Sequence, residues 1–425
     1  MEKYIYENYL KILKEELTVA LGCTEPIAIA YAGAKVREVL GEMPQHCEVF
    51  CSGNIVKNVK GVTVPNSGGL KGIDVAAVLG IVGGDAKKKL AVLEGVTEEE
   101  RQTAKELVSS DFCTCHLVEN VENLYIFVRA YAGEHEVEVE IKDYHINITK
   151  IKKDGELWFD KKEKQGQQKI FSYDKSLLNI KGILEFASEV NIKDVEETLE
   201  RQIRYNLKIA EEGLKNSYGA QVGRTLLMDF DAENVKLKAK AYAAAGSDAR
   251  MSGCPLPVVI NSGSGNQGIT VSMPVLQYAK AYKKTREELL RALVVSNLTA
   301  IHQKKYIGNL SAYCGAVSAA AGSGAGIAWL LGAGYDEIGN VITDTIANIG
   351  GMVCDGAKPS CAAKIALAVE AAVLAVHMGM KNRVFQCGEG LVKEDVEATI
   401  RSIGRMGKNG MKSTDVEILN IMLEK

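Results

Sequence analysis

The 425-residue chain has no surplus of charge of either sign. Lys and Arg number 51 against 54 Asp and Glu, a formal net charge of −3. No global basic field exists to attract nucleic acid or an anionic membrane, so neither is expected as a partner. Aromatic residues are scarce, at 6%, while glycine is abundant, at 41 residues. With alanine concentrated in the C-terminal half, this composition implies closely packed helices joined by tight loops. The start, Met1-Glu-Lys-Tyr-Ile-Tyr-Glu-Asn, lacks a basic region followed by an apolar stretch, so no signal peptide is expected. The expected compartment is the cytoplasm, where thiols stay reduced and serve metals or catalysis more often than disulfides. The ten cysteines show neither the paired spacings of zinc sites nor those of ferredoxins. One long uncharged run, Gly315 to Tyr335, could span a bilayer by length. It is dominated by Ala, Gly and Ser and lacks basic flanks, so a buried helix in a soluble core is expected instead.

The pattern along the chain predicts an α+β fold. A largely α-helical catalytic domain would contain an inserted α/β module with a mainly antiparallel sheet. Residues 1–45 are assigned to the helical domain, 46–194 to the module, and 195–425 to the helical domain again. Cys47 to Ile55 reads as a strand, and Ser52 to Gly72 as a loop rich in Gly, Asn, Ser and Lys. Helices are expected at 73–94 and 98–108. Four strands are expected at Phe112–Val118, Leu124–Tyr131, Glu136–Ile141 and Tyr144–Ile151, from period-2 alternation and β-branched residues. Residues 161–175 read as a polar connector. No internal repeat is present.

Three cysteines stand out. Cys314, in Ser311-Ala-Tyr-Cys-Gly315, and Cys354 and Cys361, in Gly350-Gly-Met-Val-Cys-Asp-Gly-Ala-Lys-Pro-Ser-Cys361, each sit at an expected helix start among small residues. A single cysteine usually packs as a small hydrophobe. Three in this setting point to a shared thiolate site, because the positive end of a helix dipole lowers a thiol pKa. Cys23 is placed similarly, just before Thr24, the expected N-cap, with Glu25 and Pro26 following. It suits a base, a nucleophile or a ligand.

Two loops have the composition of anion cradles. Ser52, Asn54 and Lys57 form one; Asn66, Ser67 and Lys71 form the other. Asn261 to Gly268 contains Gly263, Gly265 and Gly268, a literal GxGxxG. The following Ile269 to Pro274 reads as extended, which does not suit a dinucleotide fold. A loop offering backbone N–H groups together with Asn266 and Gln267 to a substrate fits better. Lys304 or Lys305 could neutralise an anion near Cys314, and Lys358 lies between two of the cysteines. Cys113, Cys115 and His116 fall on an expected strand whose alternation separates Cys113 from His116. Cys47 and Cys51 are expected to pack, and His377 to be a core histidine.

These residues resemble a known family. Gly22-Cys-Thr-Glu-Pro26, Ser52-Gly-Asn-Ile55, Gly263-Ser-Gly-Asn-Gln267, Leu310-Ser-Ala-x-Cys-Gly315 and Gly351-Met-x-Cys-Asp-Gly-Ala-Lys-x-Ser-Cys361 are similar to the L-cysteine desulfidases. That family overlaps a bacterial group named after YhaM and is related to the α domain of iron–sulfur L-serine dehydratases. The resemblance runs through nearly the whole chain. It implies a [4Fe–4S] cluster held by Cys314, Cys354 and Cys361. It also implies conversion of L-cysteine and water to pyruvate, ammonia and hydrogen sulfide without pyridoxal phosphate. Cys23 would be the base or a transient ligand and Lys358 would act beside the cluster. Thr24, Glu25 and the loops containing Ser52–Lys57, Asn66–Ser67 and Gly263–Gln267 would hold the amino acid. L-Serine dehydration, a non-catalytic iron–sulfur protein, a cluster-free structural protein and a dinucleotide-dependent oxidoreductase stay open as alternatives. So does the oligomeric state, a homo-oligomer included.

Overall fold

The structure is a computed structural model that describes residues 1–161, 172–229 and 233–424. It is 59% helical and 13% strand, an α+β fold. In chain order come α1 (Lys3–Glu16), β1 (Val19–Leu21), α2 (Thr24–Leu40), β2 (His46–Ser52), α3 (Gly53–Lys60), α4 (Ile73–Gly83) and α5 (Glu98–Val108). Five strands follow: β3 (Cys113–Val118), β4 (Tyr125–Ala132), β5 (His135–Lys142), β6 (Ile148–Lys153) and β7 (Glu156–Asp160). Then come α6 (Ile180–Glu189), α7 (Ile192–Lys215), α8 (Val222–Asp229), α9 (Val235–Met251) and a short strand, β8 (Pro257–Val259). The C-terminal helices are α10 (Gly265–Ala281), α11 (Arg286–Ile307), α12 (Gly315–Leu330), α13 (Tyr335–Ile349), α14 (Cys361–Gly379), α15 (Val396–Arg405) and α16 (Lys412–Met422).

The large sheet has the order β3-β2-β4-β5-β6-β7, and only the β2–β3 pair is parallel. Alternation places Cys47, Val49 and Cys51 of β2 beside Ile126, Val128 and Ala130 of β4 on one buried face. α2 covers that face and packs on α4. The two helices approach closely because Gly80 lies against α2, where a Cβ would sit 2.1 Å from the Ala30 carbonyl oxygen. By contrast, α1 packs on α7, and β1 pairs with β8. The N-terminal segment is therefore divided between the helical body and the sheet. One continuous apolar core runs through both.

Several expectations need correction. The strand from Cys47 stops at Ser52, and Gly53–Lys60 is helical. Ile55 and Val59, four residues apart, share a buried face that the Gly-Asn composition concealed. Helix 73–94 breaks at Gly83 and Gly84, and Lys89 adopts a positive φ of 50°. Ile269–Pro274 is not extended but lies inside α10. Its β-branched run is buried against α9 and α12, and packing overrides propensity there. Thr270 and Ser272 bond their hydroxyls to the Asn266 and Gly268 carbonyls, a helical pattern. Of the expected connector, 162–171 fall outside the described residues.

The run at Gly315 forms α12, in contact with α10, α11, α13 and α14. Among the described residues one helix, α14, is long and apolar enough to cross a membrane by length and composition. It lies against α9, α12 and α13 with Ile365, Val369, Ala372 and Val376 buried. A core helix meets the same composition test.

Candidate active site

Four helices begin at one cavity of about 120 Å³, lined from the starts of α2, α10, α12 and α14. None of the four has a side-chain hydrogen bond capping its first turn. Elsewhere Thr97, Asn179, Asn191, Asn234, Thr285 and Asp395 cap their helices, while α1, α3, α4 and α16 also lack a side-chain cap. At α2 and α12 the Cys23 and Cys314 thiols take first-turn N–H groups, those of Glu25 and Ala316, and the positive dipole ends point into the cavity. An anion is the occupant such a site favours.

Local backbone geometry brings these ends together. Gly22, with φ +59°, turns the chain against Pro65, where a Cβ would meet Cγ at 2.1 Å. Cys23, and not Thr24 as expected, is the N-cap of α2. Ser262 and Gly263 form a left-handed turn ahead of α10. The Cys314 N–H donates to the Met352 carbonyl at 3.1 Å, and the Cys354 N–H donates to the Ala312 carbonyl at 2.6 Å. These two bonds tie the cysteine segments side by side. Cys354 therefore lies beside the Tyr313–Val353 bridge and not at a helix start, whereas Cys361 opens α14.

All four thiols, Cys23, Cys314, Cys354 and Cys361, line the cavity. Cys23 and Cys361 also share a small apolar cluster with Val62, Met251 and Ala357. The Cys23 Sγ donates to the Glu25 Oε2 at 3.0 Å. Burial pushes the Cys23 thiol well up, and the Glu25 charge adds to the effect. Burial and the neighbouring Cys354 push Cys314 up to about 12, and burial raises Cys361. The dipole expectation is corrected at Cys23, Cys314 and Cys361, where burial outweighs the helix ends and raises the thiols. Burial alone would raise Glu25 too, but His145 and Cys23 outweigh it, and its carboxyl falls to about 2. The His145 Nε2 stands 3.6 Å from Glu25.

Cations share the space. Lys304 is buried in the cavity wall, and burial lowers its ammonium to about 8 against the opposing pull of Cys354 and Cys314. Lys364 pairs with Asp355 and donates to the Val353 carbonyl. Arg250, also in the wall, is 2% exposed. Among the described residues, Arg250 Nε, Gln267 Oε1, Asn58 Oδ1 and the Tyr313 hydroxyl have no hydrogen-bond partner. Buried polar atoms without partners mark a site made for a polar occupant.

The donor set is of the kind that an iron–sulfur cluster takes, three cysteine thiols on one cavity. Among the described residues, no three His, Cys, Asp or Glu side chains are gathered to hold one metal ion. Cys314, Cys354 and Cys361 line the cavity together with Lys304, Lys364 and Arg250, cations that would balance a negative group.

A family model for the serine dehydratase alpha chain matches residues 87–420. The chain belongs to that family. Curated relatives named UPF0597 proteins agree over its full length. One from Lachnoclostridium phytofermentans is 52% identical over 99% of this chain and 100% of its own. One from Desulfitobacterium hafniense is 50% identical over 99% and 97%. One from Finegoldia magna is 49% identical over 99% and 100%. The span matched by the serine dehydratase family model contains Arg250, Lys304, Cys314, Cys354 and Cys361, whereas Cys23, Glu25 and Asn58 precede it.

Not every expected residue reaches the cavity. Cys23, Glu25, Gly263, Asn266, Gln267 and the three other cysteines line it. Thr24 lies just behind, donating its hydroxyl to the Gly263 carbonyl at 2.9 Å, and Gly265 abuts Arg250. The proposed cradles are elsewhere. Ser52 Oγ donates to the Asn123 carbonyl at 2.8 Å, and Asn54 lines a second cavity beside α16. Lys57 is buried, paired with Asp415, and donates to the Cys354 carbonyl at 3.2 Å. It braces the cysteine loop from behind. Asn66 bonds the Leu93 carbonyl, and Ser67 bonds that of Leu70. Ser67 thus serves its own turn, whereas Ser52 and Asn66 tie their loops to distant segments of the chain. Lys358 bonds Asp355 and the Gly356 carbonyl, and Lys364, one turn into α14, lines the cavity in its place. The GxGxxG runs into the first turn of α10, but its strand β8 is antiparallel to β1, so the parallel βαβ unit of a dinucleotide fold is absent there.

Arg250, His145, Asn58 and Lys364 were not singled out from sequence. Arg250 carried a signal: it is a charge inside Ala241-Tyr-Ala-Ala-Ala-Gly-Ser-Asp-Ala-Arg250, a helix otherwise fit for burial. His145 carried none, because a strand connection places it.

Proposed function

We propose that this chain is a lyase that eliminates the β-substituent of a small α-amino acid, with L-cysteine as substrate. The observation that carries the reading is the convergence of four thiols and four uncapped helix starts on one cavity. Cys314, Cys354 and Cys361 are the proposed ligands of a [4Fe–4S] cluster. Bound there, the cluster would supply a Lewis acid for the group leaving Cβ. Cys23 is the proposed base at Cα, and its hydrogen bond to Glu25 holds Sγ in one orientation. Loss of the Cα proton and of the Cβ–S bond leaves aminoacrylate. Water then converts it to pyruvate and ammonia, with the sulfur released as hydrogen sulfide. Alignment of the two breaking bonds demands a fixed substrate, which the polar side chains Arg250, Asn266 and Gln267 in the cavity wall could hold.

L-Serine is the second reading, favoured by the family match. It would lose hydroxide from the same carbon. Neither reading needs a nucleic-acid or membrane partner, and the cytoplasm is the proposed compartment because free thiols persist there.

The test is anaerobic reconstitution followed by iron and acid-labile sulfide counts and keto-acid assays with L-cysteine and L-serine. About four of each per chain is expected, with pyruvate formed faster from L-cysteine. Faster turnover of L-serine would select the second reading. No cluster and no keto acid would end both.

A further inference from the structure

We infer that Arg250 is the carboxylate subsite of this cavity, reading the α-carboxylate of an amino acid together with the N-terminus of α10. This rests on the amino-acid lyase reading above and replaces the two cradles expected from sequence.

Arg250 ends an otherwise small-residue stretch of α9 and is 2% exposed. Its Nη1 donates to the Asn266 Oδ1 at 3.1 Å and touches the Met251 sulfur at 3.9 Å. Its Nε has no partner among the described residues, and no carboxylate there pairs with it. A buried guanidinium is rarely left without an anion, because burial without one is costly. The guanidinium lies against the start of α10, where Gly265 leaves room: a Cβ there would sit 2.3 Å from Nε. α10 has no side-chain cap, so its first N–H groups are available beside the guanidinium. Gln267 supplies an independent sign of a polar ligand. It is 6% exposed, and its Oε1 lacks a partner. A planar fork of donors next to free backbone N–H groups matches a carboxylate.

L-Alanine tests the subsite, because it has the carboxylate and ammonium but no group to eliminate. Its binding to the reconstituted full-length protein is compared by calorimetry with that of L-alaninamide, in wild type, Arg250→Met and Arg250→Lys. Wild type is expected to prefer the carboxylate by about 10- to 100-fold, the range of a charge-assisted pair. Arg250→Met should bring the preference close to one, and Arg250→Lys should restore part of it. Should Arg250→Met fail to fold, the partial loss in Arg250→Lys decides. An unchanged preference in the variants, or no binding of L-alanine to wild type, overturns the assignment. Keto-acid assays separate it from the lyase reading. Arginine-dependent L-alanine binding without pyruvate from L-cysteine or L-serine keeps the subsite and removes the reaction. Pyruvate formation with an arginine-independent preference does the reverse.

Discussion

The Cys23 thiol donates to the Glu25 carboxylate at 3.0 Å, although both belong to the start of the same helix. The pair settles which group holds the negative charge there. A helix N-terminus favours one anion, and the carboxylate is much the stronger acid. Glu25 is ionised, held by His145 and Thr24 besides Cys23, and Cys23 remains a thiol. A base at Cys23 must therefore first lose its proton within the loaded site.

Glu25→Gln keeps the shape and removes that charge. His145 and the α2 N-terminus would lose their anion, and Cys23 its strong acceptor. Destabilisation of about 2–4 kcal/mol is expected in urea unfolding. A change under about 0.5 kcal/mol would show that the carboxylate is not an anchor. Cys23→Ser keeps a donor at the same place, so it should unfold near wild type while keto-acid formation falls at least about 100-fold.

Gly356→Ala should disturb the loop between Cys354 and Cys361. Gly356 has φ +92°, and a Cβ would lie 2.3 Å from the Lys57 carbonyl oxygen. A cost of about 1–3 kcal/mol is expected from backbone strain. Iron retained after anaerobic reconstitution should fall with it, since both thiols ride on the loop. Wild-type iron content and stability together would contradict this account.

Lys57 and Asp415 join α3 to the C-terminal helix α16 in a pair whose lysine is 1% exposed. Lys57→Met leaves the acid without its partner and should cost about 3 kcal/mol. The double change with Asp415→Asn should cost less than the single one, because no unpaired charge remains. Equal or greater loss in the double variant would mean that the ion pair is not what Lys57 contributes.

Asp344 is 2% exposed on α13, and burial raises its carboxyl to about 6 despite the Phe385 N–H bonded at 2.9 Å. A folded pKa above the unfolded value means that the charged form opposes folding. The penalty is full above about 6, shrinks as pH falls toward 3.8, and is gone below it. Asp344→Asn keeps an acceptor for Phe385, so it should stabilise the protein at pH 7–8 by about 1–2 kcal/mol and have no effect near pH 3.5. A gain that does not vary with pH would rule out this cause.

Much of the sheet was legible because period-2 alternation is local. β4 buries Ile126, Val128 and Ala130 in turn, and β5 continues the hairpin across Gly133. The cysteine helix starts were legible at Cys314 and Cys361 for a similar reason: small residues and helix formers lie next to each other in the chain. The cradles misled because Gly, Asn and Ser look alike whether they bind a ligand or cap their own turn. Ser67 bonds within its own turn, and Asn66 ties that turn to the Leu93 carbonyl. Ser52-Gly-Asn proved to be a helix start, with Lys57 facing inward.

By itself the sequence determined the α+β class, the buried small-residue helices, and the thiols available for chemistry. These follow from periodicity and from residue type, which act over a few positions. Only the tertiary structure decided that Cys23 meets three cysteines nearly three hundred or more residues away, that Glu25 takes the charge at its helix start, and that Arg250 faces the same cavity. Each depends on which side of a helix packs inward and which distant segment comes to meet it. Burial then raises Cys314 and Asp344, whereas at Glu25 the partners that the fold supplies outweigh it.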